Sequence, residues 1–128
     1  MNFIDTAINF RYQKSERTIA AALIYLIKEG KISREELFLS TKGGFVHEDA
    51  DFGITADVVL DKLVNSGQIE ASDIYDSNCI HPKFLDLQLN ASLSNLGVES
   101  IDCYSLNLPE IHLYRQDTPA FYKSLLVN

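Results

Sequence analysis

Three polar residues close short, largely apolar runs in this sequence: Asp5 after Phe3-Ile4, Lys42 after Leu39-Ser40-Thr41, and Asn107 after Ser105-Leu106. If those runs are parallel strands, the residues at their C-terminal ends reach one face, and in a parallel barrel that face carries the active site. A carboxylate, an ammonium and a carboxamide would then share a rim. Each also has an ordinary explanation. Asp5 can cap the loop after its strand, Lys42 can be solvated, and Asn107 before Leu108-Pro109 can be only a turn former. His47, His81 and His112 do not have the spacing of a metal site, and surface or capping roles are expected for all three. Cys79 and Cys103 are too few for a disulfide scaffold and too far apart for a metal knuckle; both are expected to be reduced, buried thiols.

The elements that must position these residues follow from the apolar pattern. Asn2 to Ala7 suits a buried parallel strand with no exposed polar face. A helix is expected from about Ser15, with Ser15 as its cap, Glu16 at the positive end of the dipole, and Ile19, Leu23, Leu26 and Ile27 at helical spacing before Gly30. Ser33-Arg34-Glu35-Glu36 has the form of a capping box ahead of a second strand, Leu37 to Thr41, which ends in the loop Lys42-Gly43-Gly44. Residues 45–78 form a long excursion with one helical stretch near Thr55 to Val64, its stripe made by Val58, Val59, Leu63 and Val64. His81-Pro82 opens a further helix with Phe84, Leu85, Leu89, Leu93 and Leu96 as its core face, and Gly97 ends it. A third strand spans Ile101 to Leu106, and 119–127 reads as the start of one more helix after Pro109.

Strands alternating with helices imply right-handed crossovers and a parallel sheet. The class is α/β, with residues 1–128 as a single unit of 46% hydrophobic residues. The net charge of −7, from 18 acidic and 11 basic residues, argues against a nucleic-acid or anionic membrane partner. No stretch reaches the roughly 18 apolar residues of a membrane span, and a cytoplasmic address is the default expectation.

Taken together, Phe3-Ile4-Asp5-Thr6-Ala7, the stretch Tyr12-Gln13-Lys14-Ser15-Glu16-Arg17, Ser40-Thr41-Lys42-Gly43-Gly44 and Ile101-Asp102-Cys103-Tyr104-Ser105-Leu106 stand in an order and spacing that resembles the aldo-keto reductases. Cys79 to Phe84, with Gln88 to Val98, looks like the helix before that family's fourth strand. The resemblance covers essentially the whole chain. It implies a partial (β/α)8 barrel of about three βα units and NADP-dependent reduction of a small carbonyl compound by hydride transfer. It also assigns positions. The family's aspartate falls on Asp5 and its lysine on Lys42. The proton-donating tyrosine, five residues after that aspartate, falls on Phe10, and the histidine that orients the carbonyl falls on Asn107.

These two replacements bear on the chemistry. Phenylalanine has no proton to give, and losing a general acid typically costs about 10² to 10⁴ in rate. Asparagine can donate an amide hydrogen bond but does not exchange a proton near neutral pH. Tyr12 lies two residues past Phe10 and would have to bring its phenol within about 3 Å of the substrate oxygen to act instead.

A full barrel needs eight βα units and about 250 residues. The chain therefore resembles an N-terminal-half fragment, inactive or very weak alone, without the second half that supplies much of the NADP site. Two alternatives remain: a non-catalytic remnant, or a scaffold that binds a partner through its uncovered sheet. An unrelated flavodoxin-like module would require the motif agreement to be accidental. An open three-stranded sheet is expected to self-associate or to pair with the missing half.

Overall fold

The computed structural model describes residues 2–115 together with Pro119, Ala120 and Lys123. The helix expected over 119–127 lies, apart from those three positions, outside the described residues.

Strand β1 (Phe3–Asp5) opens the chain and pairs in parallel with β2 (Phe38–Gly43), matching Phe3 to Phe38, Ile4 to Leu39 and Asp5 to Ser40. β2 pairs in parallel with the last strand, Cys103–Leu106, matching Ser40 to Cys103 and Lys42 to Ser105. The outcome is an open three-stranded parallel sheet with β2 in the centre, the form of part of a (β/α)8 barrel rather than a closed one. β2 runs two residues further than the sequence suggests, because its pairing with Cys103–Leu106 takes in Lys42 and Gly43. β1 is an edge strand, so the expected full burial does not hold. Only one of its faces is covered, and Phe3 remains 52% exposed, stacked on Phe38 with ring centroids 5.4 Å apart. Burial begins just beyond, at Thr6, Ala7 and Ile8.

The chain leaves β1 through a left-handed turn, with φ of 51°, 57° and 71° at Arg11, Tyr12 and Gln13, and enters α1 (Lys14–Lys28). Gln13 is the N-cap, so Ser15 is not the cap; it lies inside the first turn, and its hydroxyl shares a 3.0 Å hydrogen bond with that of Thr6. Glu16 does more than favour the helix dipole. It is fully buried, accepting from the Thr41 hydroxyl at 2.7 Å and from Asn95 Nδ2 at 2.9 Å. The capping box at Ser33 forms as expected, with the Ser33 amide donating to Glu36 Oε2 at 2.7 Å.

The excursion after β2 holds α2 (Ala56–Asn65) and a small antiparallel hairpin of β3 (Ile74–Tyr75) and β4 (Asn78–Cys79). Val46, Ile69, Cys79 and Phe84 form its buried cluster, with Val59, Leu60, Leu63 and Val64 packed against it. Val58, expected in that stripe, is 56% exposed. The hairpin turns through Asp76 and Ser77, both in left-handed backbone.

α3 (Pro82–Leu96) starts at His81, whose Nδ1 accepts from the Lys83 amide, and stops at Gly97 in left-handed backbone. Its buried line is Phe84, Gln88, Ser92 and Leu96, one residue per turn. The expected leucines 85, 89 and 93 flank that line and are half-buried. α1 and α3 pack together behind the sheet. The final strand, Cys103–Leu106, is β5; as the other edge it leaves Cys103 exposed, whereas Cys79 is buried as expected. His112 departs from its expected surface role. It is fully buried, with Nε2 hydrogen-bonded to Asn78 Oδ1 at 2.9 Å. Among the described residues no helix is long and apolar enough to cross a membrane.

Candidate active site

Alternation along a strand decides which side chains meet. Leu39 and Thr41 point to the helix side and are buried. Phe38, Ser40 and Lys42 therefore point to the opposite side, where the register sets them beside Phe3 and Asp5 of β1 and Cys103 and Ser105 of β5, and where Ser40 is itself buried among these neighbours. The Lys42 ammonium donates to Asp5 Oδ2 at 2.5 Å, with the Asp5 side chain 44% exposed. That hydrogen bond is the main reason the Asp5 carboxyl lies below its usual pKa, and Ser40 lowers it further; partial burial works the other way.

Phe10 enters the same place from the turn after β1. Its amide donates to Ala7 O at 3.0 Å, and the Lys42 nitrogen stands 5.7 Å from its ring centroid. Asn107 reaches the rim from the end of β5. Its amide N–H donates to Gly43 O at 2.7 Å and its side-chain Nδ2 to Asn9 Oδ1 at 3.2 Å. Lys42 thus meets both Asp5 and Phe10, while Asn107 is joined to them through Asn9, the residue before Phe10, and through Gly43, the residue after Lys42.

What this set can do is limited by its protons. The ammonium is shared between a carboxylate and an aromatic face, which fixes its position. The phenyl ring offers neither a proton nor a hydrogen bond. One N–H of Asn107 is committed to Asn9, and the second has no protein acceptor among the described residues, leaving one neutral donor for a substrate oxygen. Tyr12 sits on the left-handed turn, 55% exposed, and its hydroxyl makes no hydrogen bond among the described residues.

Three supporting residues escaped the sequence reading. Gln88 accepts from the Gly44 amide at 2.7 Å and donates to Phe45 O at 2.6 Å, pinning the loop that follows β2. Asn78 donates to Asn107 O at 2.8 Å. Asn9 anchors the Asn107 side chain. The available signal was positional for Gln88 alone, an amide spaced four residues from Phe84 on an apolar helix.

A dinucleotide needs clustered cations or a run of free amides for its phosphates. Lys42, Lys14 and Arg17 each face a carboxylate, and Arg11 stands singly on an exposed turn. Gly43-Gly44 leads into a loop and not a helix N-terminus, so no glycine-rich phosphate cradle forms there. The described residues by themselves do not fit the nucleotide's phosphates.

An open parallel βα sheet with an ion pair at its strand ends is a portion of barrel-enzyme architecture. The model of the Aldo/keto reductase family matches residues 1–125 of the 128, and the chain belongs to that family, one of oxidoreductases. Searches of curated proteins and of solved structures gave no match.

Proposed function

We propose that this chain carries the carbonyl-facing rim of an NADP-dependent aldo-keto reductase with its general acid removed, and that alone it does not turn carbonyl compounds over. The reading is supported above all by one observation: the phenyl ring of Phe10, the position to which the resemblance assigns the family's proton donor, lies 5.7 Å from an ammonium already paired with Asp5. Asp5 and Lys42 retain the pair that would tune a phenol, and Asn107 retains a donor for an oxygen. Hydride delivery would be supplied by NADPH, for whose phosphates the described residues make no cradle.

The test compares the chain with a Phe10→Tyr, Asn107→His double variant. NADPH binding is followed by calorimetry, and NADPH oxidation is followed with aromatic and aliphatic aldehydes. The native chain is expected to give no rate above buffer. A variant that binds the nucleotide should gain about 10² to 10⁴. Native turnover, or a variant that binds NADPH and gains nothing, would refute the assignment of position 10. Absence of NADPH binding in both proteins would favour a second reading, a non-catalytic scaffold. That reading draws on a separate observation, the exposed Phe3–Phe38 stack beside two open sheet edges.

A further inference from the structure

The excursion after β2 forms one wall of a half-open cavity of about 380 Å³ between α2 and α3, within the range of small-ligand sites, roughly 300–1,000 Å³. None of Asp5, Phe10, Lys42 or Asn107 lines it. Val58 and Leu63 of α2 and Phe84 and Leu87 of α3 make apolar walls. Its charge is unusual for this molecule. In a chain of net charge −7 the lining holds no Asp or Glu, while Lys62 lines it and makes no ion pair among the described residues.

His47 supplies a second donor whose orientation follows from its neighbours. Gln88 Oε1 accepts from the Gly44 amide, so the Gln88 NH₂ group is the end that faces Phe45 O and, at 2.9 Å, His47 Nδ1. Nδ1 is therefore an acceptor, and the neutral imidazole carries its proton on Nε2. Burial pushes the imidazole pKa below its ordinary value, which keeps this form at neutral pH. Nε2 has no protein partner among the described residues, and the ring lines the cavity.

We propose that this cavity binds a small apolar monocarboxylate, with its hydrocarbon body between α2 and α3, its carboxylate drawn to Lys62, and the His47 Nε2–H as the second donor. The site is separate from the strand-end rim and does not depend on the function proposed there.

Octanoate and octan-1-ol serve as probes, followed by amide NMR shifts on the full chain. Octanoate is expected to bind saturably, moving resonances of α2, α3 and His47, and octanol to bind more weakly, by up to about fivefold. Lys62→Gln should reduce octanoate affinity by about the same factor and leave octanol unchanged. Ala91→Phe, which fills the cavity from α3, should abolish both, with its melting curve reporting on folding. Because Lys62 is exposed, Lys62→Gln tests the assignment even if Ala91→Phe does not fold. Equal binding of the two probes, indifference to Lys62→Gln, shifts confined to another surface, or no saturable binding would each overturn it.

Discussion

At position 10 a single missing oxygen separates the phenyl ring, 42% exposed, from the phenol that the proposed function would require there. The Lys42–Asp5 pair beside it is intact, with the Asp5 side chain 44% and the Lys42 side chain 19% exposed, so it is partly screened and should contribute little to stability. Lys42→Met is expected to cost less than about 1 kcal/mol in urea unfolding. The same substitution should move the Asp5 carboxyl pKa back up toward its ordinary value, because the hydrogen bond from Lys42 is the largest cause of its depression. Carbon-detected NMR titration reads this directly, and an unmoved Asp5 would mean that Lys42 is not its partner in solution. The sign follows from linkage. A depressed carboxyl stabilises the fold above the unfolded value near pH 4, and that contribution is lost as pH falls through the folded value.

Among the elements, the excursion is tied to α1 chiefly through Arg17, with Lys14 also facing Asp51. Arg17 grips Asp49 through both terminal guanidinium nitrogens, at 2.6 and 2.9 Å, reaches Asp51 at 2.5 Å, and donates from Nε to Asn95 of α3 at 3.1 Å. Asp49 is nearly buried, so removing its partner leaves a desolvated carboxylate. Arg17→Met is expected to cost about 2–3 kcal/mol and to speed hydrogen exchange at the paired amides of Asp49 and Ile54; unchanged protection there would contradict the tether. Helix and strand order was legible in the sequence because each element carries its own period or stop signal, such as the Ser33 box and Gly97. The strand-end positions were legible as well, since parallel pairing alone carries Asp5, Lys42 and Asn107 to one rim. What could not be read depends on contacts distant in sequence. The β3–β4 hairpin has two-residue strands and a turn without glycine, Gln88 is buried by a loop forty residues earlier, and Ser15 yields its capping role to a left-handed turn set by the preceding residues.

For the whole molecule, pH should act through two histidines before it acts through the carboxylates. Burial, the largest cause for both, lowers the pKa of His47 and His112; Arg17 and Arg115 add to this, and Asp49 opposes it at His47. Their stabilising contribution is complete above the unfolded value of about 6.5 and declines as pH falls through it, because the unfolded chain takes up the protons first. The melting temperature is expected to drop between pH 6.5 and 5, and a flat profile there would contradict neutral, buried imidazoles. The open sheet makes a second demand. Phe3 and Phe38 are exposed together beside two edges that are unpaired among the described residues, and concentration-dependent association is expected in sedimentation, weakened by Phe38→Lys.

The exposed thiol of Cys103, on the row that runs through Asp5 and Ser40, makes such coverage visible without any engineered label. A maleimide would alkylate it readily on a bare sheet and slowly beneath a companion surface. Cys79, interior and with its thiol pKa pushed up to about 11, would stay silent, so one mass-spectrometric time course would work as a natural occupancy gauge for this face of the sheet.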